Sequence, residues 1–266
     1  TFNFESQYLN NNHEISVILP DKPREVEPAA FYGSGKKYKV LWLLHGTFGD
    51  HSDWIRKSNI ELYACEKDLI VVMPSGLNAN YANWERFSIG YNMYDYFLKE
   101  LMPLIYGWFP ASDKREDNFI AGLSMGGAGC MKIGLNNPQN YAAIGCLSAG
   151  AVNRGGIAMT PERRARMIMT YGTEDVSTRK GTPEDVFGAA QRILDEDLPR
   201  PRIFHSVGTE DFVLPSARET RDFFQGLAGN PFDYTYEEHP GAHNWDYWET
   251  HIQRALDWLP LEGKSC

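Results

Sequence analysis

The segment that most constrains the fold is residues 117–127, where an apolar strand runs into a turn of small residues and then into a helix. The turn carries the pattern Gly-x-Ser-x-Gly from Gly122 to Gly126, with Ser124 at its centre. A serine on a sharp strand-to-helix turn is held in a strained backbone conformation, which requires very small residues two positions before and after it. The amide of Met125 begins the helix and points to where negative charge would form on an attacked carbonyl. The pattern predicts Ser124 as a nucleophile and Met125 as an oxyanion donor.

A pattern this short also arises by chance, so its structural context decides between the two interpretations. Phe119 to Ala121 is typical of a buried parallel strand. Ala128 to Leu135 has Met, Ile and Leu among small residues and indicates a buried helix. The agreement of strand, turn and helix favours a catalytic turn.

The length and composition predict one α/β domain that spans residues 1–266. The chain has 266 residues and 42% hydrophobic content, which is enough for one sizeable core. Wholly apolar runs such as Leu69 to Pro74 are typical of parallel strands covered on both faces. We therefore expect a mostly parallel central sheet with helices on both faces.

Charge and cysteine content exclude several classes of protein. The net charge of −9 argues against nucleic acid or an anionic membrane surface as a partner, because both select basic patches. Four scattered cysteines without a C-x-x-C pair predict neither a disulfide scaffold nor a metal site. No signal peptide is visible in residues 1–30, which indicates a cytoplasmic protein, or a secreted one if a leader was removed. The sequence leaves homo-oligomerisation open.

A second oxyanion donor is expected after the first central strand. Tyr38 to Leu44 is that strand, and it ends in a glycine-containing loop that begins His45-Gly46-Thr47. Loops of this kind supply the second oxyanion amide in α/β-hydrolases, so we assign it to Thr47. The side chain of His45 is expected to pack or to bond the backbone, because a catalytic base should follow a later strand.

Two segments are candidates for shaping a substrate site. Residues 76–87 hold Trp84 and Phe87 in a loop at the carboxyl edge of the sheet, where they could form a substrate wall or a structural turn. Residues 151–200 interrupt the strand–helix alternation with two polar helical patches, which open at Thr160 and Thr182. We expect an insertion there that overhangs the site as a partial lid.

The acid and base are chosen by chain order. In α/β-hydrolases the order is Ser, then Asp or Glu, then His, and Asp211 and His243 satisfy it. Residues 172–175 repeat the Gly-Thr-Glu-Asp of residues 208–211, but only the second copy follows a clear apolar strand, so Asp211 is preferred to Asp175. His243 is preferred to His239 because it lies past the Pro-Gly turn, on a loop that can reach the serine.

These motifs resemble the esterase D-like branch of α/β-hydrolases, which includes tributyrin, feruloyl and acetylxylan esterases and S-formylglutathione hydrolases. The resemblance runs from Leu43-Leu44-His45-Gly46, through residues 114–127, to residues 208–212 and 241–248. It implies the same nucleophile, base, acid and oxyanion amides, and no metal or cofactor. S-formylglutathione hydrolases usually have a histidine where this chain has Ala128.

The sequence therefore predicts a serine carboxylesterase that acts on a small-molecule or carbohydrate-linked ester. Small acyl groups or a hydroxycinnamoyl group of the feruloyl type are expected, the latter because of the aromatic residues Trp84, Phe87 and Trp245. The alternatives are an acyltransferase with the same triad, an S-formylglutathione hydrolase and a non-enzymatic binding module on the same scaffold.

Overall fold

The computed structural model describes residues 1–87, 90–150 and 160–261, and its frame is an eight-stranded sheet. The strands are β1 (Phe2–Ser6), β2 (Asn11–Ile18), β3 (Lys39–Leu44), β4 (Leu69–Pro74), β5 (Asn118–Leu123), β6 (Ala143–Leu147), β7 (Arg202–Gly208) and β8 (Thr235–His239). Their order across the sheet is β1-β2-β4-β3-β5-β6-β7-β8. β1 and β2 form an antiparallel edge, and β3 to β8 run parallel. The predicted mostly parallel α/β fold is confirmed.

Helices cover both faces of this sheet. The α-helices are α1 (Pro28–Tyr32), α2 (Asp53–Lys57), α3 (Ile60–Glu66), α4 (Met93–Tyr96), α5 (Met102–Trp108), α6 (Met125–Asn136), α7 (Pro161–Tyr171), α8 (Val186–Asp195), α9 (Leu214–Gly226) and α10 (Trp245–Trp258). Two short 3-10 helices span Arg115–Asp117 and Val176–Arg179. One core cluster joins the sheet to α4, α5, α6 and α8, and a second joins its opposite face to α2, α3 and α10.

The apolar runs of the sequence fold as strands because both faces of the sheet are covered. In β3, Trp42 and Leu44 belong to one core cluster, whereas Leu41 and Leu43 belong to the other. This division follows from the two-residue period of a strand, which sends neighbouring side chains to opposite faces. A strand buried on both sides therefore needs an unbroken apolar run.

Local hydrogen bonds move some boundaries away from those expected. The second polar patch opens at Val186 and not at Thr182, because Asp185 is the N-cap and its carboxylate accepts from the amide of Gly188 at 3.0 Å. The Thr182 hydroxyl donates to the carbonyl of Arg179 at 2.7 Å instead. The first patch begins as predicted, with Thr160 accepting from the Arg163 amide at 3.2 Å.

The helical segment of residues 93–108 contains one irregular turn. A π-helix over Phe97–Leu101 joins α4 to α5 without a break in helical backbone angles. Pro103 lies just after this turn, and inside a helix a proline lacks the N–H that would bond the preceding turn and its ring crowds that turn. The irregular turn thus lies where the proline disturbs the helix.

The expected insertion of residues 151–200 contains two different parts. Residues 151–159 lie outside the described residues. α7 has mostly exposed or half-buried residues, whereas α8 buries Val186, Ala189, Ala190 and Ile193 in the core. α8 therefore belongs to the layer that covers the sheet, and a lid formed by the earlier residues stays a prediction. Among the described helices, none is long and apolar enough to span a membrane.

We expect His13 to make the fold sensitive to acid. Its ring lies in β2 with 2% of the residue exposed, and Nε2 donates to the Ser75 carbonyl at 2.9 Å. Burial lowers the pKa of His13 to about 4, and this outweighs the carbonyl bond, which raises it. The unfolded chain therefore binds more protons than the folded chain between about pH 6.5 and pH 4. The free energy of unfolding should fall by about 3 kcal/mol across this window on account of His13 alone.

Urea unfolding of the wild type and His13→Gln at pH 7, 5.5 and 4 measures this contribution. The glutamine keeps an amide donor but does not titrate, so its stability should decline less steeply as the pH falls. Parallel declines in the two proteins would show that His13 does not cause the acid sensitivity.

Candidate active site

Ser124 lies on a strained turn between β5 and α6. Its backbone angles are φ 53° and ψ −118°, a region that is costly for a residue with a side chain. The strain is held by close packing of the flanking glycines. A Cβ on Gly122 would lie 2.6 Å from the carbonyl of Gly126, and one on Gly126 would lie 2.5 Å from the Leu44 carbonyl oxygen. Only glycine fits at both positions, as the sequence pattern predicted.

The loops that carry Asp211 and His243 continue the pairing of β7 and β8 beyond the strand ends. The amide of Thr209 donates to the His239 carbonyl at 2.8 Å, and the amide of Glu210 donates to the Gly241 carbonyl at 3.0 Å. The Glu210 carboxylate accepts in return from the Gly241 amide. The bond from the Gly241 amide, helped by the Thr209 hydroxyl, lowers the pKa of Glu210, a residue that is exposed and held to the loop backbone. Together the bonds between the two loops place Asp211 beside the loop that carries His243.

Ser124, His243 and Asp211 form one hydrogen-bonded chain. The distance from Ser124 Oγ to His243 Nε2 is 2.9 Å, and His243 Nδ1 lies 2.9 Å from both carboxylate oxygens of Asp211. The Asp211 side chain is fully buried and also accepts from the Val213 amide at 2.9 Å. With Nδ1 donating to Asp211, Nε2 is left to accept the serine proton, and this arrangement activates a hydroxyl as a nucleophile.

Asp175 and His239, the alternatives set aside in the sequence analysis, lie outside this hydrogen-bonded chain. Asp175 lies in the exposed segment that follows α7, not at the end of a strand. His239 is the last residue of β8, and its Nε2 lies 3.1 Å from the Glu237 carboxylate. The hydrogen-bonded chain from Ser124 therefore contains His243 and Asp211, the two residues preferred from the sequence.

His45 holds the loop that contains Thr47. Its Nδ1 donates to the carbonyl of Gly46 at 2.6 Å, and its Nε2 accepts from the amide of Gly76 at 2.5 Å. This pattern requires a neutral ring, and burial lowers the pKa of His45. His45 thus bonds the backbone, as expected. Because the C=O and N–H of a trans peptide point in opposite directions, fixing the Gly46 carbonyl also fixes the direction of the Thr47 amide.

The loop has a second support on its other side. Phe48 has a positive φ of 65°, and its amide donates to the Asn78 side chain at 2.6 Å. The Asn78 carbonyl accepts from the guanidinium of Arg166, which lies in α7. Met125, the other predicted donor, is the first residue of α6. Its amide N–H has no partner within the helix and can donate a hydrogen bond to an anion.

Two aromatic residues that the sequence analysis missed pack against His243. The ring centroid of Phe212 lies 4.4 Å from that of His243, and Trp248 meets the same ring edge-on at 5.0 Å. Phe212 is 48% exposed, whereas Trp248 is 7% exposed. The sequence offered one signal for them, which is their position: Phe212 directly follows Asp211, and Trp248 lies five residues after His243. They restrict the imidazole to the plane in which it reaches Ser124.

The three aromatic residues predicted to bind substrate pack against other aromatic rings. Trp84 meets Tyr91 edge-on at 5.0 Å and donates from Nε1 to the Ala79 carbonyl at 3.0 Å. Phe87 also packs against Tyr91 and is 42% exposed. Trp245, at the start of α10, packs edge-on against Trp248, whose ring contacts His243. None of the three has a ring contact with His243 in the described part of the chain, and their role in substrate binding stays a prediction.

Comparisons with known proteins identify the family of this chain. The family model Esterase, described as "Putative esterase", matches residues 6–259. An acetyl esterase of Caldicellulosiruptor saccharolyticus is 30% identical over 97% of this chain and 96% of its own length.

Two solved structures from Staphylococcus aureus share the fold over almost the whole chain. The fluorophosphonate-binding serine hydrolase FphF, in a substrate-bound form, is 30% identical with a TM-score of 0.80, covering 97% of this chain and 96% of that one. The S-formylglutathione hydrolase FrmB is 32% identical with a TM-score of 0.79, and the match again covers 97% of this chain and 96% of that one. With the family model spanning most of its length, this chain belongs to the Esterase family, within the esterase D-like branch of the α/β-hydrolases.

Proposed function

We propose that the protein is a serine carboxylesterase that hydrolyses esters of small acyl groups through an acyl-enzyme on Ser124. The observation that carries the proposal is the continuous hydrogen-bonded chain from Ser124 through His243 to the buried Asp211. Membership in the Esterase family supports the same reaction class.

The reaction proceeds in two halves. Ser124 Oγ attacks the ester carbonyl while His243 Nε2 takes its proton, and the amides of Thr47 and Met125 stabilise the oxyanion. His243 then gives that proton to the departing alcohol, which leaves the acyl group on Ser124. Water, deprotonated by His243, attacks the acyl-enzyme and releases the carboxylic acid. Asp211 keeps Nδ1 protonated and stabilises the imidazolium in both halves.

Small acyl groups are favoured over hydroxycinnamoyl groups. The hydroxycinnamoyl hypothesis depended on Trp84, Phe87 and Trp245. Trp84 donates to the Ala79 carbonyl, and Trp245 packs edge-on against Trp54 and Trp248, so both residues have a role in packing that accounts for them without a substrate. The 30% identity to a relative described as an acetyl esterase supports the same choice.

A thioesterase acting on S-formylglutathione is the second candidate. The 32% identity to the hydrolase FrmB favours it, because a formyl group is also a small acyl group and the same nucleophile would serve. Ala128 stands where S-formylglutathione hydrolases usually have a histidine, which argues against it. An acyltransferase would use the same acyl-enzyme but pass the acyl group to an alcohol in place of water.

A substrate panel tests the proposal. We expect nitrophenyl acetate and tributyrin to be hydrolysed with kcat/KM at least about tenfold above that for methyl ferulate or S-formylglutathione. Ser124→Ala should abolish turnover of all four. A preference for methyl ferulate or S-formylglutathione would overturn the acyl assignment, and an ester product formed with added alcohols would indicate the transferase.

A further inference from the structure

A cavity that does not include the triad lies between the segment that follows α7 and the residues around Tyr94. Its volume is about 190 Å³. The lining residues are Asn83, Glu85, Tyr94, Thr170, Tyr171, Thr178, Arg179, Thr182, Pro183 and Glu184. They include neither the triad nor the predicted oxyanion donors. An engineered cavity of about 150 Å³ binds benzene, so this one has room for a small organic ligand.

Arg179 brings unused hydrogen-bond donors to this cavity. Its guanidinium lies over the ring of Tyr171, with Cζ 3.8 Å from the ring centroid. Its Nε and Nη2 atoms are buried, and neither has a hydrogen-bond partner among the described residues. These two nitrogens share one edge of the guanidinium, and that edge binds both oxygens of a carboxylate in the bidentate geometry.

Thr170 adds a third unused group. It is the one fully buried residue among the described side chains of α7, and its hydroxyl also has no hydrogen-bond partner within the described ranges. A buried polar group without a partner is costly, and native proteins rarely tolerate several around one space. Three such atoms on two residues that line the same cavity indicate a site whose polar partner is a ligand.

The charges around the cavity favour an anion. Lys132 Nζ pairs with the Glu184 carboxylate at 2.6 Å and donates to the Asn80 carbonyl at 2.8 Å, so the charge of Glu184 is already compensated. Burial lowers the pKa of Lys132, Glu184 opposes this shift, and the positive charge of Arg179 adds to it. Glu85, the other acidic lining residue, is exposed. Arg179 is the one basic residue among the described lining residues, and its guanidinium has no ion pair within the described ranges.

We propose that this cavity is a binding site for a small organic carboxylate of about the size of benzoate. The carboxylate would accept from Nε and Nη2 of Arg179 and from the hydroxyl of Thr170, and the rings of Tyr94 and Tyr171 would contact its carbon skeleton. Binding there needs no reaction at Ser124, so the site stands independently of the esterase proposal.

Isothermal titration calorimetry with benzoate, its neutral isostere benzamide and inorganic phosphate tests the site. Wild-type protein should bind benzoate with a Kd of about 1 mM or tighter. Benzamide should bind at least about tenfold more weakly because it lacks the charge that Arg179 recognises. Arg179→Gln should weaken benzoate binding by at least about tenfold, and Arg179→Lys should also weaken it because a lysine keeps the charge but not the bidentate edge.

Lys180→Gln is the matched control, since it removes the same charge from the exposed neighbouring residue and should leave the Kd unchanged. Thr170→Val keeps the shape of the side chain and should weaken binding, which provides a second readout if Arg179→Gln does not fold by circular dichroism. Absence of benzoate binding, equal affinity for benzamide, tighter binding of phosphate, or an unchanged Kd in the folded Arg179 variants would each overturn the proposal.

Discussion

Asp211→Asn is expected to lower kcat by about 10⁴-fold while the fold is kept. The asparagine amide can occupy the buried site and still bond the Val213 amide through its oxygen. It can also donate to His243 Nδ1, and this stabilises the tautomer that carries its proton on Nε2. A ring in that tautomer cannot accept the proton of Ser124, and the imidazolium also loses its counter-charge. Hydrolysis of nitrophenyl acetate across the pH range measures the loss.

Asp175→Asn is the matched control for this substitution. Asp175 ends the same four-residue sequence, Gly-Thr-Glu-Asp, but lies in the exposed segment after α7. Its replacement should leave kcat within about twofold of wild type, because exposed substitutions away from a site have small effects. A larger loss from Asp175→Asn than from Asp211→Asn would refute the assignment of the acid.

Gly126→Ala is expected to disrupt the turn that carries Ser124. The new Cβ would lie 2.5 Å from the Leu44 carbonyl oxygen and 2.6 Å from the His45 carbonyl oxygen, both of them backbone atoms. Because these atoms cannot rotate away, α6 must shift relative to β3, at a cost of about 1 to 3 kcal/mol in unfolding free energy. The shift would also separate Ser124 from the Thr47 loop, and a misplacement of about 1 Å can lower activity by about 10²-fold. Chemical denaturation and ester hydrolysis measure the two effects.

Gly107→Ala makes the same chemical change without the clash. Gly107 lies in α5, where a Cβ would meet no atom of the described residues within 4 Å. We expect this variant to be as active as wild type and more stable by about 0.5 to 1 kcal/mol, because alanine favours a helix. Equal tolerance of alanine at positions 107 and 126 would contradict the close packing of the turn.

The sequence predicts most of the frame because its strands are covered on both faces. A wholly apolar run such as that of β4 is typical of a strand buried on both faces. The glycines on either side of Ser124 indicate the tight turn between a strand and a helix. Chain order then limited the acid and base to a few residues. These features are local, so a single sequence displays them.

Features that depend on contacts between distant segments were missed or misplaced. The packing of Phe212 and Trp248 on His243 arises only when the ends of β7 and β8 meet. The start of α8 was misplaced because Thr182 and Asp185 are both good capping residues, and the Thr182 hydroxyl is taken by the Arg179 carbonyl. The contacts of Trp84 with Tyr91 and of Trp245 with Trp54 also join distant segments, and aromatic composition does not reveal them.

Ser124 alone should carry the acyl group during turnover. Intact-mass and peptide mass spectrometry of the protein after treatment with a fluorophosphonate measures this, with Ser124→Ala as the control. We expect a single adduct on the peptide that contains Ser124, loss of esterase activity in proportion to labelling, and no adduct on Ser124→Ala. Labelling of a different residue, or full esterase activity in Ser124→Ala, would show that another residue is the nucleophile.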